Sequence, residues 1–223
     1  MRLPKRKTSI VAASIAVLVG TGALAGTATS FWWNMGSTPK LNQVRPALTA
    51  GQATPSIANG VAVGATVPLY YSSGTGPSGA NTSAPGGTPE RFIDTATLPG
   101  GALGPGVTIT EAQALNVLKR IEENLAAQKM TPAHVISMRV FLDNPPGSDV
   151  ADYAGWNRAY RQWYANTNLT TGEVLNVPFG SAAPAPPIFV NRARPSRTTI
   201  EVGSLPVAGW LVEIEVVAAF PKR

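Results

Sequence analysis

The sequence has no cysteine and a single histidine, His134, among its 223 residues. Without cysteine, the chain can form no disulfide bond, no thiol nucleophile and no cysteine-ligated metal site. One histidine leaves almost no material for a histidine-based metal centre or for Ser-His-Asp catalysis. We therefore expect no metal site, and a surface or strand-capping role for His134.

Acidic residues are absent from the first 25 positions, where four basic residues lie within the first seven. An apolar run over residues 10–24 follows them, and Ala23-Leu24-Ala25 matches an A-x-A cleavage pattern. The run is shorter than the ~20 residues that span a bilayer as a helix. These features predict a secretory signal peptide over residues 1–25, and the alternative is an uncleaved N-terminal anchor.

The basic excess of the chain comes mostly from this segment. The formal net charge is +6, but without the four N-terminal basic residues the balance is 14 − 12 = +2 over residues 26–223. No basic stripe interleaved with aromatic residues is present, so we expect no nucleic-acid partner. The chain is predicted to be exported to the bacterial periplasm or secreted, with membrane contact only if the signal segment stays uncleaved.

The domain organisation follows from composition. Residues 26–59 are predicted to form an N-terminal extension, and residues 60–223 one domain large enough for a hydrophobic core. Two long stretches interrupt it at about 76–106, which is rich in Gly, Pro, Ser and Thr, and at about 166–193, which contains Pro184-Ala185-Pro186-Pro187. Loops of this length are functional or disordered, and we interpret both as insertions.

Strands and helices alternate along the domain. The pattern predicts a strand pair over 60–74, a helix from a capping box at Thr110 to about 128–130, and a strand over 135–143. A second helix capped by Ser148 and two strands within 194–220 follow. This order predicts an α/β sandwich, of the α+β type, with both helices on one face of a mixed sheet. The second helix has a stripe expected in the core: Val150, Tyr153, Asn157, Tyr160, Trp163 and Tyr164.

The last two predicted strands each carry one charged residue of interest. Side chains alternate along residues 211–216, so Glu213 lies in the middle of an otherwise apolar strand. A carboxylate there is costly unless it lies at a sheet edge, is paired, or faces a wet pocket. Arg197, on the preceding strand, is the candidate partner. The pair forms either a cross-strand salt bridge on a solvated face or part of a ligand site.

Several motifs resemble the RidA family, also called YjgF or L-PSP endoribonuclease-like. They are Arg-x-x-x-Glu-Val-x-x-Leu-Pro from Arg197 and Val-Glu-Ile-Glu-x-x-Ala from Val212, supported by Ser73-Gly74 and by Asn-x-x-Tyr from Asn157. The resemblance covers roughly residues 60–220, apart from the two insertions. It implies the chorismate-mutase-like RidA fold and a homotrimer with pockets between subunits.

The same resemblance implies an enamine/imine deaminase that converts 2-imino or 2-enamino acids to 2-oxo acids and ammonia without a cofactor. Arg197 and Glu213 stand at the family's catalytic positions. Arg197 can hold the substrate carboxylate with a bidentate, charge-assisted pair, and Glu213 can hold and transfer a proton. Substrate-binding residues are expected to be Ser73, Gly74, Asn157 and Thr199.

One position departs from the family pattern. A tyrosine is common three residues before the glycine that matches Gly60, but this chain has Ile57 there. Tyr70 and Tyr71 are candidates to replace the missing phenol in space. The alternative function is therefore a non-catalytic RidA-like protein of the cell envelope, which binds a small carboxylate or offers a chaperone-like surface.

Overall fold

A four-stranded mixed sheet dominates the computed structural model, which describes residues 38–222. The predicted signal peptide lies outside the described residues. No helix within them is both long and apolar enough to cross a bilayer. In chain order the strands and α-helices are β1 (Val44–Ala47), β2 (Gly60–Val63), β3 (Leu69–Tyr71), α1 (Ile109–Ala127), β4 (Val135–Leu142), α2 (Tyr153–Trp163), β5 (Ser196–Glu201) and β6 (Val212–Ala219).

The strand order of the main sheet is β3-β6-β4-β5. Strand β6 pairs antiparallel with both β3 and β4, whereas β5 pairs parallel with β4. The register places Val140 of β4 beside Thr199 on one side and Ile214 on the other. The predicted mixed sheet of an α+β protein is confirmed.

Two predicted strand pairings are wrong. The last two strands of the domain are not neighbours, because β4 lies between β5 and β6. The strands within residues 60–74 do not pair with each other either. Instead, β2 pairs with β1 in a separate two-stranded sheet, and β3 pairs with β6.

Helix α1 begins earlier than its sequence signal suggested, and helix α2 begins later. Helix α1 is capped by Thr108, whose Oγ1 accepts a hydrogen bond from the Glu111 amide at 3.1 Å, while Thr110 is buried inside the helix. Helix α2 is capped by Asp152, which accepts from the Gly155 amide at 2.8 Å, rather than by Ser148. The side chain that reaches the first free amides decides where a helix starts, so the predicted caps Thr110 and Ser148 are wrong.

The core lies between the helices and one face of the sheet. Alternate residues of β4 and β6 point into it because strand side chains alternate faces. The aromatic stripe of α2 is confirmed in part, since Val150, Tyr153 and Asn157 are exposed whereas Trp156 is buried. The main core side chains are Leu115, Leu118, Ile121, Leu125, Met138, Val140, Leu142, Trp156, Tyr160, Trp163, Val212, Ile214 and Val216.

The other face of the sheet, which we call the open face, carries the remaining β4 and β6 side chains. Arg139 Nη1 and Glu215 Oε2 form an ion pair there at 3.3 Å, and the Arg139 side chain is 73% exposed. Phe141 lies opposite Glu213 in the next pair of the register. Glu213 therefore points away from the helices, as the alternation in its strand predicted.

Two long loops, residues 76–106 and 166–193, are fixed to the outer sides of the helices by buried side-chain amides. Asn116 donates to the carbonyls of Ser78 and Phe92, at 3.0 Å each. Gln162 donates to the Pro178 carbonyl at 3.1 Å and accepts from the Ile188 amide at 3.3 Å. These amides are almost fully buried, yet each bonds to loop backbone, which offsets the cost of removing them from water.

Candidate functional site

Arg197 has its guanidinium held against α2. Its central carbon lies 4.3 Å from the ring centre of Tyr160 and 5.7 Å from that of Trp156. Nη2 donates to Asn157 Oδ1 at 2.8 Å. A cation over an aromatic face is attracted by the ring's quadrupole, so the helix orients the guanidinium without neutralising it. Burial lowers the pKa of Arg197 from its usual value, and the neighbouring Tyr160 opposes that shift.

Part of this guanidinium has no partner. Within residues 38–222, Arg197 Nη1 is buried without a hydrogen bond. Thr199 Oγ1, two residues further along β5, is also buried without a hydrogen bond. Both side chains lie on one face of the strand because they are two residues apart. Buried polar groups are normally paired, and unpaired ones point to a missing ligand or water. The arrangement suits an anionic group with several acceptor oxygens.

Ile57 lies close to Arg197. The adjacent Ala58 forms a parallel bridge with Ser196, and Ile57 and Arg197 both line a cavity of about 410 Å³. The Tyr160 hydroxyl donates to the Ser56 carbonyl at 2.8 Å and so fixes this segment. Burial raises the pKa of Tyr160 to about 12, so the phenol stays neutral at physiological pH.

Within one chain, the candidate replacements for the missing family tyrosine do not reach this site. Tyr70 and Tyr71 belong to β3, at the opposite edge of the sheet from β5. The phenol nearest to Ile57 in the hydrogen-bond network is Tyr160, which donates to the backbone of the adjacent Ser56. Sequence reasoning placed Tyr160 in the core without recognising this second role.

Glu213 belongs to a different group, at the other end of the sheet. Its carboxylate lies against the backbone of Gly74, where an added Cβ would overlap Glu213 Oε1. The backbone that follows β3 stays paired with β6, because Thr75 and Ile214 exchange backbone hydrogen bonds of 2.9 and 3.0 Å. The predicted site residues Ser73 and Gly74 are thus next to Glu213, and all three are partly or fully exposed.

The predicted residues therefore form two groups, which a single chain does not bring together. Arg197, Asn157 and Thr199 meet on the helix side at the β5 edge. Ser73, Gly74 and Glu213 meet near β3, where Glu213 projects from the open face. The cross-strand salt bridge between Arg197 and Glu213 is wrong, because the two side chains lie on opposite faces of non-adjacent strands.

No group of three or more His, Cys, Asp or Glu side chains in the described part of the chain could hold a metal ion. His134 accepts a hydrogen bond from the Thr131 amide through Nδ1 at 3.0 Å and caps a short turn before β4. None of the residues of the second long loop lines the cavity beside Ile57 and Arg197.

Gly74→Ala is expected to lower the free energy of unfolding by up to about 1 kcal/mol, because the new Cβ would push aside the Glu213 carboxylate, which ends a flexible, half-buried side chain. Urea unfolding measures the effect. Gly60→Ala is the matched control, since open space surrounds the Cβ position there. The double variant Gly74→Ala/Glu213→Ala should cost less than the sum of the single variants. Equal losses of unfolding free energy for Gly74→Ala and Gly60→Ala would contradict the close packing of Glu213 against Gly74.

A family model described as Endoribonuclease L-PSP matches residues 99–220, which is more than half of the chain. The chain therefore belongs to this family and is a RidA/YjgF-like protein. The matched range includes Asn157, Arg197 and Glu213 but begins after Ile57 and Ser73. No curated protein sequence is similar enough to count as a match.

Several solved structures match this chain at low sequence identity. A member of the YjgF family from Neisseria meningitidis is 20% identical, with 82% of this chain and 99% of that chain covered and a TM-score of 0.39. A YjgF/YER057c/UK114 family member from Mycobacterium tuberculosis is 20% identical, with 80% and 100% covered and a TM-score of 0.38. A Rid-family protein from Yersinia pestis is 16% identical, with 79% and 98% covered and a TM-score of 0.42.

Proposed function

We propose that this protein is an exported enamine/imine deaminase that hydrolyses 2-imino or 2-enamino acids to 2-oxo acids and ammonia. The observation that carries the proposal is the unpaired, buried Nη1 of Arg197 beside the unpaired Thr199 hydroxyl. A substrate carboxylate would satisfy both donors at a cation that Asn157 and Tyr160 already orient. Family membership and the Arg197 and Glu213 motifs support this substrate class.

The reaction requires only water and proton transfer. Arg197 would hold the carboxylate, so that the imine carbon faces the attacking water in a fixed orientation. Glu213 would accept a proton from that water as it adds to the carbon, and would return the proton to the nitrogen. Glu213 would then pass the proton of the new hydroxyl group to the same nitrogen as the C–N bond breaks, so that the nitrogen leaves as ammonia and the carbon keeps the water oxygen as a carbonyl. No cofactor enters this scheme.

The two residue groups must come from different subunits in this scheme. Arg197 and Glu213 of one chain face opposite sides of the sheet, and one small substrate cannot contact both. A neighbouring copy that places its open face against the β5 edge would supply Glu213, Ser73 and Gly74. We therefore propose the homotrimer that the family resemblance implies, with three equivalent sites between subunits.

The direct test is ammonia release from 2-iminopropanoate that is generated in situ by an amino acid oxidase. Wild-type protein should increase the rate of ammonia and pyruvate formation above the spontaneous rate, and Arg197→Ala should not. Lys119→Ala is a control on the outer surface of α1, where its partner Glu122 is also accessible. Wild-type protein that leaves the spontaneous rate unchanged would overturn the deaminase proposal.

A second candidate is a non-catalytic protein that binds a small carboxylate or acts as an envelope chaperone. Ile57 favours it, because an aliphatic side chain beside Arg197 cannot donate or accept a proton. This candidate predicts that 2-oxobutanoate binds in calorimetry, that binding requires Arg197, and that no ammonia is released. Ammonia release that depends on Arg197 and Glu213 would exclude it.

A further inference from the structure

Arg194 is a buried cation that binds only backbone carbonyls, and it is 3% exposed. Its Nε donates to the Pro55 carbonyl at 2.6 Å, Nη1 donates to the Arg192 carbonyl at 2.8 Å, and Nη2 donates to the Thr167 carbonyl. Within residues 38–222 no carboxylate pairs with it. Burial lowers the pKa of Arg194 to about 10, so the guanidinium is still charged at neutral pH. A buried, unpaired charge is costly, and here three carbonyl dipoles offset the cost.

These carbonyls belong to two segments that are far apart in the sequence. One lies in a short segment before β2, residues 53–58, which we call the strap. The other two lie in the second long loop. The amide of Leu169, in the same loop, also donates to the Ala53 carbonyl of the strap at 2.7 Å. The planar fork of a guanidinium holds several acceptors at fixed angles, so Arg194 joins the loop and the strap rigidly.

Helix α2 and the start of β5 hold the strap at further points. The Tyr160 hydroxyl donates to the Ser56 carbonyl at 2.8 Å, and Arg161 Nη1 donates to Ser56 Oγ at 3.2 Å. The Ala58 amide donates to the Pro195 carbonyl at 3.3 Å. The strap is therefore fixed on both sides of the single residue that lies between Ser56 and Ala58.

That residue is Ile57. Ala58 forms a parallel bridge with Ser196, so the residues next to them, Ile57 and Arg197, belong to the opposite alternation in their two segments. Ile57 is half-buried, packs against the core, and lines the same cavity as Arg197. The position of the strap therefore sets how closely an aliphatic side chain approaches the anion site.

We propose that Arg194 is a positioning residue for the anion site at Arg197, because it holds the strap where Ile57 forms an apolar wall of that site. The inference rests on the proposed function, since it assumes that Arg197 binds the carboxylate of a 2-imino or 2-oxo acid. Arg194 does not touch the ligand and acts only through the strap. Through Arg194 the second long loop contributes to a site that it does not line.

Isothermal titration calorimetry with 2-oxobutanoate tests the proposal in Arg194→Met. We expect the Kd to rise by about 5- to 20-fold with the number of sites per chain unchanged, because a loosened strap is in the binding position for only a fraction of the time. A purely structural role would instead reduce the number of sites and leave the Kd of the folded protein unchanged. That result would overturn the proposal.

Two further variants separate the guanidinium fork from its charge and from arginine removal in general. Arg194→Lys should weaken binding nearly as much as Arg194→Met, because lysine keeps the charge but lacks the fork. Full rescue by lysine would contradict positioning by the fork. Arg91→Met is the matched control, since Arg91 is a half-buried arginine of the first long loop whose Nη1 donates to the Asn81 carbonyl. It should leave the Kd unchanged.

A double-mutant cycle tests whether Arg194 acts through Ile57. Ile57→Ala alone should weaken 2-oxobutanoate binding, and Ile57→Ala with Arg194→Met should weaken it by less than the product of the two single effects. Independent, multiplicative effects would overturn the proposal. Tyr160→Phe removes another anchor of the strap but keeps the ring beside Arg197, so it should raise the Kd by about 2- to 3-fold even if Arg194→Met fails to fold.

Failure of this inference differs from failure of the proposed function. Wild-type protein that does not bind 2-oxobutanoate would refute the anion site at Arg197, and the role of Arg194 with it. Wild-type protein that binds, together with an Arg194→Met protein of unchanged Kd, would overturn the role of Arg194 alone.

Discussion

Two inactive variants, Arg197→Ala and Glu213→Gln, are expected to regain deaminase activity when their subunits are mixed. Each variant alone should lose about 3 to 4 kcal/mol of transition-state stabilisation, or roughly 10²- to 10³-fold in kcat/KM. In a trimer assembled from equal amounts of both, each site would take Arg197 from one chain and Glu213 from its neighbour. About one site in four would then contain both intact residues.

A second mixture separates a shared site from a site within one chain. The double variant Arg197→Ala/Glu213→Gln is refolded with an equal amount of wild-type protein. A site shared between chains again predicts about a quarter of wild-type activity, whereas a site within one chain predicts about half. The site within one chain also predicts no recovery in the first mixture. Mixed trimers that form but stay inactive would refute the shared site.

Glu111→Ala is expected to lower the free energy of unfolding by about 3 to 5 kcal/mol, which is the largest stability effect that we predict for a single substitution. Glu111 is fully buried in α1, and its Oε2 accepts from Arg158 of α2 at 2.7 and 2.8 Å. Its Oε1 accepts the Gly180 amide of the second loop at 3.0 Å. Removing the carboxylate leaves a partly buried cation and a loop amide without partners. Urea unfolding measures the loss, and the midpoint of thermal unfolding should fall by roughly 6 to 20 °C.

Glu122→Ala is the matched control, because it removes a glutamate from the same helix. Glu122 pairs with Lys119, but the side chains are 29% and 47% exposed, so the expected cost is below about 1 kcal/mol. Arg158→Ala should resemble Glu111→Ala, and the double variant should cost less than the sum of the two. A Glu111→Ala protein as stable as Glu122→Ala would show that the pair contributes nothing.

The main elements of the fold follow from local patterns, but their neighbours in the sheet do not. Apolar spacing placed α1, α2 and β4, because each element repeats one periodicity over eight residues or more. The partners of β6 were mispredicted because proximity in sequence favoured β5, about ten residues earlier. Strand β4 comes between them through a parallel pairing with β5, which depends on the core packing of both helices rather than on any local motif.

The candidate site shows the same division. Motif matching selected Arg197, Asn157 and Thr199, which the structure brings together, and Ser73, Gly74 and Glu213, which it also brings together. The sequence did not show which of these side chains share a face of the sheet. Alternation assigns faces only within one strand, and the relative faces of two strands depend on their pairing. The support that Tyr160 gives to Arg197 is visible as a three-residue step from Asn157, but the same step is typical of an ordinary core position.

The position of β6 has a consequence for how the chain folds during synthesis. This strand is the last of those described, yet it lies inside the sheet, between β3 and β4. Among residues 38–222, strand β3 has no other partner in that sheet, so both β3 and one edge of β4 stay unpaired until residue 219 has emerged from the ribosome. The pairing of β3 with β6 also closes a loop of more than 140 residues, which makes it a slow, non-local step. The main sheet of a nascent chain therefore stays incomplete until β6 has been translated, and its unpaired strand edges are surfaces of the kind that chaperones protect.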